Sequence, residues 1–129
     1  MQSNKRILIA DDDARNRKLL ETLLTSDGYE VASANSGQAA LSSAMSEKPD
    51  LVLLDLMMPG MDGFEVLRRF KAMPELADVE IVMVTALDDA GSRARMDAAG
   101  AAGLLTKPVD RWKLKEILGQ LLGGGDAAG

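Results

Sequence analysis

The sequence predicts an α/β fold, an open, doubly wound sheet of five parallel strands with five helices packed on its two faces. Short apolar runs alternate with segments of helical period five times along the chain, and such alternation implies parallel strands joined by helical crossovers. The third run, LVLL at 51–54, is apolar at every position, the pattern of a strand buried on both faces. At 129 residues the chain has about half the length of an eight-fold barrel, so the sheet stays open.

The first predicted strand is KRILIA at 5–10, followed by a helix with Leu19, Leu20, Leu23 and Leu24 on one face. Asp27 and Gly28 end that helix, and YEVASA at 29–34 is the second strand. Ser36 suits the N-cap of a second helix running through Met45, with Ala39, Ala40, Leu41 and Ala44 as its small apolar face. After LVLL, Pro59-Gly60 suits the centre of a type II turn. A third helix runs from about 64 to 72 with Phe64, Val66, Leu67 and Phe70 as its apolar members, and Pro74 stops it. VEIVMV at 79–84 is the fourth strand. The helix expected over 88–99 is poor in large apolar residues and carries Gly91 and Ser92, so it should be the least firmly packed. GLLT at 103–106 is the fifth strand. Asp110 caps a last helix with Leu114, Ile117, Leu118, Leu121 and Leu122 inward. Residues 1–122 form the expected domain, and the GGGDAAG tail at 123–129 is expected to be flexible.

Composition removes several kinds of chemistry. With no cysteine and no histidine, the chain has no disulfide framework, thiolate or imidazole metal site, catalytic triad or phosphohistidine of its own. A net charge of −5 argues against a nucleic-acid footprint on this domain. No apolar run approaches the roughly 20 residues that span a bilayer, and the polar start MQSNKR lacks a signal-peptide core. A cytoplasmic domain without membrane contact is the expectation.

Ligands of open parallel sheets bind at the carboxyl ends of the strands. There the sequence places Asp11, Asp12 and Asp13 after the first strand, Asp55 after the third, Thr85 after the fourth, and Lys107-Pro108 after the fifth. Each has a plain structural explanation. The aspartates at 11–13 fit helix capping as well as chemistry, and Asp13 is expected to do only that. Asp55 fits an ordinary strand end, Thr85 a β-branched strand residue, and Lys107 a solvated loop lysine. Together at one edge they fit better as a site. Crowded carboxylates shift their pKa values upward unless a cation joins them, and their oxygens suit Mg²⁺. A hydroxyl and an ammonium group beside them match the needs of a phosphoryl group, with Asp55 as the nucleophile.

The stretches ILIADDD (7–13), PDLVLLDLMMPGMDGFEVL (49–67), MVTA (83–86) and LTKPVD (105–110) closely resemble the receiver domain of two-component response regulators. They also look like the receivers at the front of diguanylate cyclase regulators and in hybrid sensor kinases. The resemblance implies a flavodoxin-like sheet of order 2-1-3-4-5 and a phosphoprotein switch in signal transduction. Asp55 is then the acceptor of an aspartyl phosphate, passed on from a sensor histidine kinase or a histidine phosphotransfer protein in a phosphorelay. Asp11, Asp12, Asp55 and the Met57 backbone carbonyl are the implied Mg²⁺ ligands. Thr85 and Lys107 contact the phosphoryl group, and Lys107–Pro108 is a cis peptide. The only catalysis implied is of the domain's own phosphorylation and dephosphorylation. Downstream stands either a separate protein or an output domain absent from these 129 residues.

Receivers commonly carry Tyr or Phe three residues before the lysine, where this chain has Leu104. Inward rotation of a ring is therefore not the expected readout. Displacement of Thr85 and of the loose helix near 88–99 takes its place, favoured by the small-residue run AAGAAG at 98–103. Receivers also often pair through their fourth and fifth helices, so a phosphorylation-dependent homodimer is a further expectation. Arg111, Lys113 and Lys115 form a basic patch at the start of the last helix, most simply a solvated face, and Trp112 beside them lies off the apolar stripe. Two other readings compete. A haloacid-dehalogenase-like phosphatase also uses an aspartyl nucleophile with Mg²⁺ on a doubly wound sheet, and Asp11 and Asp13 mimic its spacing, but no cap domain is present. A binding module that has lost phosphorylation is suggested by Leu104 alone.

Overall fold

The computed structural model describes residues 5–86 and 90–123. Within them lie β1 (Arg6–Ala10), α1 (Ala14–Ser26), β2 (Glu30–Ala34), α2 (Gly37–Ser46), β3 (Leu51–Asp55), α3 (Gly63–Ala72), β4 (Glu80–Thr85), α4 (Ala90–Ala98), β5 (Gly103–Thr106) and α5 (Arg111–Leu122). The strands pair in parallel in the order β2-β1-β3-β4-β5, as expected.

Alternation along the strands divides the core into two layers. Leu8, Ala10, Val52, Leu54, Ile81 and Met83 face α2, α3 and Met96 of α4. Ile7, Ile9, Leu51, Leu53, Val82 and Val84 face Leu20 and Leu24 of α1 and Leu114 and Leu118 of α5. The central strands are therefore apolar at almost every position, because both of their faces are covered. Phe70 of the first layer has no exposed surface. The register brings the carboxyl ends of β1, β3 and β4 to one edge, with Ala10 beside Leu54 and Asp55 beside Val84.

Local chemistry sets the element ends. Asp13, Ser36, Asp62 and Asp110 each accept a backbone N–H of the turn that follows, satisfying donors that the helix leaves free. Gly60 has a φ of +80°, the left-handed value that the third position of a type II turn requires. α3 ends at Ala72, ahead of Pro74.

Several details depart from expectation. β1 begins at Arg6 and β2 at Glu30, one residue later than expected, while β3 and β4 run on to include Asp55 and Thr85. Val79 is buried but belongs to a turn, its N–H bonded to the Leu76 carbonyl. Leu19 is 49% exposed, whereas Leu20 and Leu24 are buried. Leu19 lies about 100° around the helix from Leu20, off the arc that β1 and β3 cover. In α4, Met96 is the one buried residue, consistent with weak packing. The Arg95 guanidinium lies 4.0 Å above the Phe64 ring and ties α4 to α3. The expected start of that helix at 88–89, the first four residues, and residues 124–129 of the tail lie outside the described residues.

Gly63 binds α3 to the end of β3. A Cβ there would lie 2.7 Å from Leu56 Cα and 2.8 Å from the Asp55 carbonyl oxygen, both backbone atoms that cannot turn aside. Gly63→Ala should cost about 1–3 kcal/mol by overpacking, less the roughly 1 kcal/mol that alanine gains in a helix, read from urea midpoints. Gly103→Ala should cost less, because its Cβ meets chiefly the flexible end of Ile117.

Candidate functional site: a carboxylate cluster at the sheet edge

β1 delivers Asp11 to the edge, 2% exposed, with its N–H on the Ala34 carbonyl at 3.1 Å. Its Oδ1 accepts the Asp13 N–H at 2.8 Å, while Asp13 caps α1. Asp12, between them, is exposed. β3 delivers Asp55, also 2% exposed, whose Oδ1 accepts the Met57 N–H at 3.2 Å. β4 ends in Thr85, 1% exposed and in register with Thr106 of β5. Beyond β5 the Lys107 N–H donates to the Thr85 carbonyl at 2.8 Å, and Lys107–Pro108 is cis, as expected.

Side chains from three strand ends then converge. One carboxylate oxygen each from Asp11, Asp12 and Asp55 lie within 4.8 Å of one another. Lys107 Nζ stands 3.2 Å from Asp55 Oδ1 and 3.6 Å from Asp11 Oδ2. Asp13 is turned to its capping role, and Met57 exposes 66% of its surface. Leu104 is partly buried against the layer beneath α2, α3 and α4 and pairs with Met83 of β4.

Burial pushes the Asp55 carboxyl above its ordinary range, and the Asp11 charge pushes it further; Lys107 and the Met57 N–H pull it partly back. Crowding was expected to raise it, but desolvation is the larger cause. The ionised site therefore holds more negative charge than Lys107 offsets. A hard divalent cation fits this donor set of close carboxylate oxygens.

Arg17 was not anticipated. Its Nη1 donates to the Asp11 carbonyl oxygen at 2.8 Å. An arginine one turn into a helix carries no sequence signal of such a contact, since its partner is backbone.

A group whose folded pKa is raised contributes stability at low pH that is lost as pH rises through the folded value. Asp55→Asn should therefore raise the melting temperature of the metal-free protein at pH 7. The gap should close as pH falls below the ordinary aspartate range, where Asp55 is protonated in both states. Thermal melts at pH 7 and at about pH 2.5, well below the ordinary aspartate pKa of about 3.9, check the sign.

Among the described residues no helix is long and apolar enough to cross a membrane. A family model described as the response regulator receiver domain matches residues 7–119. Response regulator PleD of Caulobacter vibrioides is 48% identical over 105 residues, covering 81% of this chain and 23% of PleD. Protein PilH of Pseudomonas aeruginosa is 34% identical over 119 residues, covering 92% of this chain and 98% of PilH. The chain thus spans about a quarter of the first relative and nearly all of the second. Among solved structures, the receiver domain of a Pseudomonas aeruginosa sensor histidine kinase, with magnesium coordinated in its active-site cleft, superposes with a TM-score of 0.85. It is 31% identical and covers 94% of this chain and 99% of that one. Matched along most of its length by the family model, and by a relative almost end to end, this chain belongs to the response regulator receiver domain family.

Proposed function

We propose that Asp55 accepts a phosphoryl group from a phosphohistidine on a partner protein, and that the domain then presents an altered surface to a second partner. What supports this best is the company Asp55 keeps. It is a buried carboxylate with Lys107 Nζ 3.2 Å away and oxygens of Asp11 and Asp12 in one cluster within 4.8 Å. None of the 129 residues is histidine, so the donor histidine lies outside them, and a sensor histidine kinase or a histidine phosphotransfer protein in the cytoplasm fits that role.

In the transfer, an Asp55 carboxylate oxygen bonds to phosphorus as the bond from phosphorus to the imidazole nitrogen breaks. An acyl phosphate remains on Asp55, and the departing imidazole regains a proton. Lys107, already against Asp55, neutralises charge that spreads onto the phosphoryl oxygens. Thr85 offers a hydroxyl from the adjacent strand end. Asp11, Asp12, Asp55 and the Met57 carbonyl are the groups that would hold Mg²⁺, which when bound supplies further charge neutralisation. Such chemistry is mostly positioning and electrostatics, which a rigid sheet edge provides. With Leu104 in place of a ring, the readout runs through Thr85 and lightly packed α4. A homodimer formed through α4 and α5 on phosphorylation belongs to the same proposal.

Acetyl phosphate with Mg²⁺ should add one phosphoryl group to the chain, seen by intact mass, and Asp55→Asn should abolish it. Hydrolysis of phosphate esters with turnover would favour a phosphatase instead, and absence of labelling a binding module. Lys107→Ala should slow labelling by roughly a hundredfold, the worth of one preorganised charge-stabilising donor. Asp12→Ala should weaken Mg²⁺ binding by more than about tenfold, since even groups outside the ligand shell are worth that much. Met57→Ala should have little effect, because only its backbone is used.

A further inference from the structure

We infer that Arg17 is a positioning residue for the carboxylate turn: by binding the Asp11 carbonyl oxygen it fixes the Asp11–Asp12 peptide so that both carboxylates face Asp55. The inference rests on the metal-assisted reading of this site and adds to it a residue from α1.

Asp11 is held at three points. Its N–H donates to Ala34, its Oδ1 accepts from Asp13, and its carbonyl oxygen accepts Arg17 Nη1 at 2.8 Å. The first two bonds fix the strand end and the side chain. The third fixes the plane of the next peptide. That peptide is rigid, so the direction of the Asp11 carbonyl also sets the direction of the N–H and Cα of Asp12. Asp12 is the exposed member of the cluster and follows the peptide that carries it. Arg17 is itself anchored, its N–H bonded to the Asp13 carbonyl at 3.0 Å, so the guanidinium reaches back from a helix turn that starts within the segment it holds. Repulsion among three carboxylates acts to open this turn. Arg17 opposes that opening.

The positioning role and a purely electrostatic one differ in sign. A fixed positive charge beside the carboxylates disfavours a divalent cation, so removing the charge alone would tighten Mg²⁺ binding. Removing the positioning bond would weaken it.

The test compares wild type, Arg17→Met, Arg17→Lys and, as a charge control on the same helix, Arg15→Met. Amide exchange at Asp13 is measured by NMR without metal, and Mg²⁺ affinity by titration of amide shifts. Arg17→Met should speed exchange at Asp13 and weaken Mg²⁺ binding about tenfold. Arg17→Lys, which keeps a donor, should recover most of both, and Arg15→Met should match wild type in exchange and bind Mg²⁺ no more weakly. Unchanged Asp13 exchange, tighter Mg²⁺ binding in Arg17→Met, or equal weakening in Arg15→Met would overturn the inference. Should wild type itself bind no Mg²⁺, the metal-assisted reading falls, while the exchange comparison still decides the role of Arg17.

Discussion

Two carboxylates held almost out of water beside one ammonium group are the constraint on which the rest of this domain turns. Asp11 and Asp55 are each 2% exposed, and Lys107 reaches both. Buried charges are tolerated when they are paired and hydrogen-bonded. Here burial, and after it the Asp11 charge, outweighs what Lys107 and the Met57 N–H offset, so the Asp55 carboxyl lies above its ordinary range. Such a site accepts stability loss and gathers carboxylate oxygens that suit a hard cation.

The scaffold holds this unfavourable arrangement through the two core layers. Leu51 to Leu54 bring all their side chains into contact with one layer or the other, so β3 cannot slide or turn without emptying the core. Gly63 packs directly on the backbone of Asp55 and Leu56. The opposite regime holds at α4, where Met96 fills the core and Arg95 stacks on Phe64. Rigidity is concentrated around the phosphoacceptor candidate, and the lighter packing falls on the helix that follows Thr85. Lightly packed elements open at low cost in free energy, so a change at the sheet edge would meet least resistance there.

Much of the fold was legible in the chain because it depends on local periodicity. The fully apolar run at 51–54 identified a central strand, and Asp13, Ser36 and Asp110 marked helix starts because capping is a short-range interaction. Leu19 shows where periodicity stops. A helical stripe gives the spacing of apolar residues, whereas the arc that becomes buried depends on the neighbouring strands. Asp62 shows another limit. It caps α3 from within a turn-rich stretch, where Asp, Gly and Pro serve several turn types equally.

By itself the sequence determined which chemistries were available: carboxylates, a hydroxyl and an ammonium group, without histidine or cysteine. It also determined that these residues stand at the ends of strands, because strand ends follow from runs that are local in sequence. Only the tertiary structure decided which of them meet. Asp11 and Asp12 join Asp55 and Lys107, while Asp13 turns away to cap α1. It alone also decided that burial, more than mutual repulsion, raises the Asp55 carboxyl, and that Arg17 grips the Asp11 carbonyl. The physical reason is the same in each case. Residue type and spacing are properties of the chain, whereas desolvation, and contact between Asp55 and a lysine 52 residues away, are properties of the packed sheet.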